Sequence, residues 1–211
     1  MMLKKISFFL LAGVTLMWAS DRITEFSVGM LVPADAEKGF YGGLNMGRMV
    51  DENVGVSFGF NVYRSSYNKK SQIGEKDNTG QIVVSTKQYE LQQSATALPL
   101  FFQLHYVGQI TPSLDLKVTG GIGYELLWNS ITNYVTQEDD TQFFSGFAWH
   151  LGAGVSIPIS RAADFYGEAF YHGGVPSQDG GKTVEGLPVI SEVDMSGLGL
   201  RVGVRLYGFG F

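Results

Sequence analysis

The sequence predicts an all-β fold: an eight-stranded antiparallel up-and-down transmembrane β-barrel, preceded by a cleavable signal peptide. Eight segments alternate between apolar and small or polar residues, which is the period of a strand with two different faces. Glycine is abundant, at 28 of 211 residues, while charged residues make up only 17%. Beyond the N-terminal segment, no apolar run approaches the 18 or so residues that a transmembrane helix needs.

The N-terminal segment, residues 1–20, is predicted to be a secretory signal peptide. Lys4 and Lys5 precede the apolar stretch 6–18, and the small residues Ala19 and Ser20 come before the first charged pair. This order is typical of a signal peptide cut after Ala19 or Ser20. The barrel is then expected to form one domain over residues 21–211.

Each predicted strand has an apolar face and a face of small or polar residues. In the third, Val54, Val56 and Phe58 alternate with Gly55 and Ser57. In chain order, the eight apolar faces begin at Phe26, Phe40, Val54, Leu98, Leu114, Phe147, Phe165 and Leu198. A soluble barrel would carry Lys, Glu and Thr on its polar face, whereas Gly, Ser and Asn suit the narrow interior of an eight-stranded barrel. We therefore expect the apolar faces to contact lipid.

The connections alternate in length. Short turns are predicted at residues 50–53, 108–113 and 158–163, and longer loops at 34–39, 64–94, 129–143 and 173–194. Short turns at one end and longer loops at the other are typical of outer-membrane barrels with both termini in the periplasm.

Several glycine-rich motifs carry a resemblance to a known family. They are Gly42-Gly43-Leu44-Asn45-Met46-Gly47, Leu98-Pro99-Leu100, Gly120-Gly121-Ile122-Gly123-Tyr124, Gly152-Ala153-Gly154 and the C-terminal Phe211. In their order and spacing the chain resembles the small outer-membrane β-barrel proteins of Gram-negative bacteria, the OmpA/OmpX-like, porin-family group. The resemblance implies a monomer in the cell outer membrane, surrounded by lipid and inserted with the help of periplasmic chaperones and the barrel-assembly machinery.

In that family the terminal aromatic residue is the assembly signal. The resemblance assigns this role here to Phe211, Phe209 and Tyr207. These three share one phase of the last strand, while Val202 and Val204 are on the other, so an uninterrupted strand would turn Arg205 toward lipid. A bulge near Gly208 is therefore expected.

Charged side chains on the small-residue faces predict a network inside the barrel. Strand directions place Glu25 and Arg205 at similar depth, Glu168 beside Arg201, and Lys117 near Asp115 and His105. A charge in a low-dielectric interior needs a partner. The predicted network consists of Glu25, Arg205, Glu168, Arg201, Lys117, Asp115, Glu125, His105 and His150. We interpret it as a salt-bridged structural plug, with a gate for small ions as the alternative.

The sequence indicates no catalytic, cofactor or metal site. Gly55-Val56-Ser57-Phe58-Gly59 matches the G-x-S-x-G pattern, but that motif requires a sharp strand-to-helix turn. The three histidines lie on different strands, cysteine is absent, and a formal charge of −5 gives no basis for nucleic-acid binding.

The loop 64–94 is the candidate contact with an extracellular ligand. It is rich in lysine, and residues 81–92 have the β propensity to extend the third and fourth strands beyond the membrane. A free strand edge there invites strand addition by a partner. The predicted function is accordingly non-enzymatic, structural or surface-interacting; the alternatives are a small-solute or ion channel and an outer-membrane lipid-modifying enzyme.

Overall fold

A computed structural model describes residues 22–76, 82–133, 138–182 and 188–208. The predicted signal peptide, residues 1–20, and the predicted assembly-signal residues Phe209 and Phe211 lie outside these ranges. In the described part of the chain, no helix is long and apolar enough to cross a membrane.

The chain forms strands joined by short turns and loops. They are β1 (Arg22–Pro33), β2 (Gly39–Met49), β3 (Val54–Lys76), β4 (Ile82–Thr111), β5 (Leu114–Asn133), β6 (Glu138–Ser160), β7 (Ala163–Gly174), β8 (Ser177–Lys182), β9 (Pro188–Glu192) and β10 (Gly197–Tyr207). β1 through β7 and β10 make a closed eight-stranded antiparallel barrel, in which β1 pairs with both β2 and β10. The predicted fold class is therefore confirmed.

One predicted loop, residues 173–194, contains structure that the sequence does not indicate. β8 and β9 pair as a hairpin there, and Ser177 of β8 pairs with Ser145 of β6. The β8 segment, Ser-Gln-Asp-Gly-Gly-Lys, has no apolar alternation. Its strand conformation therefore depends on pairing rather than on a buried face.

The two faces of the barrel wall differ as predicted. Leu198 and Leu200 are each 68% exposed on the outer face, whereas Ser57 and Asn45 on the inner face are 3% and 1% exposed. In a membrane barrel the outer apolar residues contact lipid, and the inner face can hold the polar residues.

The barrel has a turn end and a loop end. We call the end with the connections β2–β3, β4–β5 and β6–β7 the turn end, and the opposite end the loop end. At the turn end Asp51 Oδ1 accepts hydrogen bonds from the backbone nitrogens of Asn53 (2.8 Å) and Val54 (2.7 Å), which stabilise the β2–β3 turn. Short turns occur within all three predicted ranges, but two are shorter than predicted, at residues 112–113 and 161–162.

β3 and β4 continue well past the barrel at the loop end. The last pair between β2 and β3 is Phe40 with Arg64, but β3 stays paired with β4 as far as Lys76 with Ile82. We call the β3 segment 65–76 and the β4 segment 82–94 the ribbon. Among the described residues, no strand pairs with the outer edge of β3 beyond Arg64. The predicted extension of these two strands is confirmed.

The C-terminal strand keeps Arg205 inside without a bulge in its described pairs, while the bulge predicted near Gly208 falls where the described residues end. β10 pairs with β1 and β7 without a register shift, and Arg205 is 1% exposed. The strand ends at Tyr207, and Gly208 takes a positive φ of 72°. This left-handed conformation favours glycine, and the described part of the strand alternation ends before it.

Candidate functional site

The interior of the barrel holds a layer of charged side chains near the turn end. Glu25 of β1 and Arg205 of β10 are register partners on neighbouring strands. Arg205 Nε and Nη2 each lie 2.6 Å from Glu25 Oε1. Both residues are at most 1% exposed. A pair so deeply buried is favourable only when its geometry and further hydrogen bonds offset desolvation.

A second ion pair joins β7 and β10, four residues along β10 toward the loop end. Glu168 and Arg201 are also register partners, and Arg201 Nη2 lies 2.9 Å from Glu168 Oε1. The Thr119 hydroxyl of β5 donates to the same carboxylate oxygen. The guanidinium carbon of Arg201 also lies 5.1 Å from the centre of the Phe170 ring.

Lys117 connects the two ion pairs across the lumen. Its Nζ lies 3.2 Å from Glu25 Oε1 and 3.3 Å from Glu168 Oε2. The same nitrogen sits 3.3 Å above the centre of the Tyr166 ring. Because β1, β5 and β7 are different strands of the barrel wall, this side chain crosses the lumen at that depth.

Amides and an imidazole surround the charged layer. Asn45 Nδ2 donates to Glu25 Oε2 (3.2 Å), and Gln103 Nε2 donates to Asn45 Oδ1 (3.2 Å). His105 Nδ1 lies 3.9 Å from Glu25 Oε2, and its Nε2 shares a hydrogen bond with Ser57 Oγ (2.5 Å). Asn45 and His105 therefore approach the carboxylate oxygen that does not contact Arg205.

Glycines leave room for these long side chains. A Cβ on Gly152 would stand 1.9 Å from Glu168 Oε1, and one on Gly59 would stand 2.2 Å from Asn45 Oδ1. The small-residue faces of the strands are therefore the space in which the charged network packs.

Aromatic and histidine side chains fill the lumen toward the loop end. His172 Nε2 lies 3.1 Å from Glu125 Oε2, and the Phe101 ring packs edge-on against His150 and His172, with centroids 4.7 and 5.8 Å away. On their loop-end side is a buried apolar cluster, which consists of Leu31, Tyr41, Tyr63, Ala95, Ala97, Leu127, Phe144, Phe170 and Met195.

The β9–β10 connection covers this cluster. Met195 is fully buried, and its backbone nitrogen donates to Gly174 O (2.9 Å). Ala34 N donates to Ser196 O and Asp35 N to Asp194 O, each at 2.9 Å. The connection therefore caps the loop end of the lumen, above the charged layer.

Of the predicted network, Glu25, Arg205, Glu168, Arg201, Lys117 and His105 come together. Glu125 lies closer to the loop end, where it is paired with His172. His150 contacts the Phe101 ring instead of a charged partner. Asp115 requires a correction, because it lines the open mouth at the turn end with Val107 and Gln109. The Lys117 side chain reaches inward to Glu25 and Glu168, and no described ion pair joins it to Asp115.

Six polar participants were missed by the sequence prediction: His172, Thr119, Asn45, Gln103, Ser57 and Tyr166. All six lie on the inward phase of their strands, opposite apolar residues such as Tyr171 and Val118. That phase was a usable signal, but the prediction took only charged residues and two of the three histidines, and so omitted the other members.

The residues that could support chemistry are enclosed. Ser57 and His105 form a hydrogen-bonded pair, yet they are 3% and 1% exposed and lie within strands β3 and β4. In the part of the chain that the structure describes, no group of three or more His, Cys, Asp or Glu side chains could hold a metal ion.

Comparisons with known proteins identify a family and several structures of similar fold. A family model described as "Outer membrane protein beta-barrel domain" matches residues 22–173. None of the curated proteins matches the chain.

Three solved structures are similar in fold at low sequence identity. A major outer membrane protein from Thermus thermophilus is 15% identical with a TM-score of 0.52, and the match covers 89% of this chain and 98% of that one. OprG from Pseudomonas aeruginosa is 13% identical with a TM-score of 0.52, over 90% and 96% of the two chains. Neisserial surface protein A is 13% identical with a TM-score of 0.50, over 89% and 97%.

Proposed function

The chain belongs to the outer membrane protein β-barrel domain family, and from that premise we propose that it is a non-enzymatic, non-conducting outer-membrane barrel that interacts with partners through its loop end. The turn end and both termini face the periplasm, and the loop end faces the exterior. Short turns on the periplasmic side and longer loops outside are the usual arrangement in such barrels.

The ribbon is the observation that carries this proposal. Between Ser65 and Lys76, β3 runs beyond its last β2 partner for roughly 40 Å at the usual rise per residue. Its outer edge keeps unpaired backbone donors and acceptors among the described residues. Such an edge is a template for an added strand, in which main-chain hydrogen bonds provide affinity and neighbouring side chains provide specificity.

Closure of the lumen supports the non-conducting part of the proposal. Lys117 lies between Glu25 and Glu168 near one end, and Met195 caps an apolar cluster near the other. An ion crossing the barrel would have to displace both. Eight strands enclose only enough room for side chains to fill, so this occlusion agrees with the size of the barrel.

Burial of the Ser57–His105 pair supports the non-enzymatic part. A general base must lie within reach of the proton that it removes from a bound substrate. Both side chains are enclosed by the barrel wall, and the Glu25 carboxylate is already occupied by Arg205 and Lys117. No polar group in this pair is open to a substrate.

The test removes the ribbon while leaving the barrel intact. Asn68 and Gln92 face each other across the ribbon, so replacing residues 69–91 with Asn-Gly gives a two-residue hairpin. A matched control replaces residues 134–137 with Asn-Gly, since Asn133 and Glu138 also face each other. Labelled proteoliposomes carrying each protein are applied to a printed array of extracellular proteins and glycans.

We expect the wild-type and control proteoliposomes to bind the same array spots, and the shortened ribbon to lose them. Each variant must first show the gel shift of a folded barrel when unheated. An unchanged binding pattern after ribbon removal, or wild-type signals no higher than those of empty liposomes, would contradict the proposed function.

A further inference from the structure

A cavity of about 350 Å³ lies at the loop end, between the β1–β2 connection and the base of the ribbon. Its walls include Asp35 and Glu37 from the connection and Tyr67 and Gln93 from the ribbon. Its size is at the lower end of the range of small-ligand sites. A small functional group, rather than a large molecule, fits such a space.

The wall formed by the connection is held in place by several bonds. Asp35 Oδ2 accepts from the backbone nitrogen of Asp194 (2.9 Å), and Asp35 N donates to Asp194 O (2.9 Å). The Tyr63 hydroxyl donates to the backbone oxygen of Glu37. The cavity is therefore preorganised, which lowers the entropic cost of binding.

The polar groups on the cavity walls are mainly hydrogen-bond acceptors. The backbone nitrogens of Ala34 and Asp35 are both used in bonds to the β9–β10 connection. Gln93 Nε2 donates to Asn129 Oδ1 (3.2 Å), which leaves the amide oxygen of Gln93 as an acceptor. Among the residues whose side chains the structure describes, the Glu37 carboxylate has no ion-pair partner, and no Lys or Arg lines the cavity. A complementary ligand must supply donors and positive charge.

An aromatic ring completes the site. Tyr67 lines the cavity and remains 42% exposed. The face of an aromatic ring attracts an ammonium or guanidinium group within about 6 Å of its centre. Two carboxylates and an exposed ring that line one cavity can together receive an organic cation carried on an alkyl chain.

We propose that this cavity binds a primary ammonium or guanidinium group carried on an alkyl chain. Glu37 and Asp35 pair with the charge, the Gln93 oxygen accepts one of its hydrogens, and Tyr67 covers the cation and its stem. The inference rests on the proposed function, because it names the chemical group of a partner received at the loop end. Such a group comes either from a free polyamine or from a lysine or arginine side chain.

The experiment measures binding by titration calorimetry with the full barrel refolded into nanodiscs of zwitterionic lipid at low ionic strength. The two probes are spermidine and the capped tripeptide acetyl-Gly-Arg-Gly-amide. Saturable binding of spermidine alone assigns the site to a polyamine, and saturable binding of the peptide assigns it to a protein side chain. Either result supports the cation site.

Variants test which residues provide the affinity. Glu37→Gln is expected to weaken binding by about fivefold or more, because it removes a charged acceptor. Tyr67→Leu is expected to weaken it by about threefold, while Tyr67→Phe keeps the ring and the affinity. Glu192→Gln removes the same charge from an exposed loop-end position outside the cavity and should change affinity by less than about twofold.

Two results would overturn the inference. One is the absence of saturable heat with either probe, and the other is an equal loss of affinity in Glu37→Gln and Glu192→Gln, which would indicate diffuse charge attraction.

The array experiment separates this inference from the proposed function. Ribbon-dependent array binding without cation binding rejects only this inference, while cation binding without array binding rejects only the proposed function.

Discussion

Glu25→Gln is expected to destabilise the folded barrel by about 3–5 kcal/mol, the usual cost of breaking a buried ion pair from one side. Glu25 is the carboxylate on which Arg205 and Lys117 converge, at 2.6 and 3.2 Å. Glutamine keeps the shape but removes the charge. Arg205 would then be buried without an anionic partner, and Lys117 would keep only Glu168.

The free energy of unfolding is measured in urea with the refolded protein, by the gel shift between folded and unfolded forms. Glu52→Gln is the matched control, because Glu52 is an exposed carboxylate in the β2–β3 turn. The control should change stability by no more than about 0.5 kcal/mol. Equal stability of the Glu25→Gln and Glu52→Gln proteins would mean that the charged layer does not hold the barrel together.

The Glu168 and Arg201 side chains are expected to be strongly coupled in a double-mutant cycle. Glu168→Gln leaves Arg201 without its anion, and Arg201→Gln leaves Glu168 with Lys117 as its one described cation. The double variant removes both charges, so it should cost less than the sum of the single variants by about 1–3 kcal/mol.

Neutral substitutions are preferable to a charge reversal in this cycle. Glu168→Arg would set a second cation beside Lys117, whose Nζ is 3.3 Å from the carboxylate. A reversed pair would therefore recover stability only partly, even where the contact is real. Additive free energies of unfolding across the neutral cycle would contradict the contact between Glu168 and Arg201.

The sequence predicted the barrel because the same alternation of apolar and polar residues recurs in all eight strands of the barrel wall. Period-two alternation fixes which residues face lipid, and the closed sheet leaves little choice in strand order. The pairing of Glu25 with Arg205 followed from chain order alone, because β1 and β10 must meet when the barrel closes. The same reasoning placed Glu168 beside Arg201 on neighbouring strands.

Contacts across the lumen could not be predicted from this alternation and strand order. Lys117 was expected near Asp115, two residues away on the same face, but its side chain spans the interior to strands β1 and β7. Sequence spacing describes neighbours along and between adjacent strands. It does not give the direction in which a long side chain leans, or which opposite wall it reaches.

The loop end was predicted least well, because its structure depends on contacts rather than on patterns. The β8–β9 hairpin has little apolar alternation, and the burial of Met195 depends on where the β9–β10 connection crosses the lumen. The cavity between Glu37 and Tyr67 arises in the same way, since its two walls are about 30 residues apart in the chain.

Closure of the lumen is tested most directly by single-channel recording of the refolded wild-type protein in planar bilayers, with insertion verified by the gel shift of protein recovered from the same preparation. The charged layer around Lys117 and the cap at Met195 predict no stable unitary conductance at either polarity. Reproducible conductance steps from the wild-type barrel would contradict the closed lumen and would identify the protein as a channel.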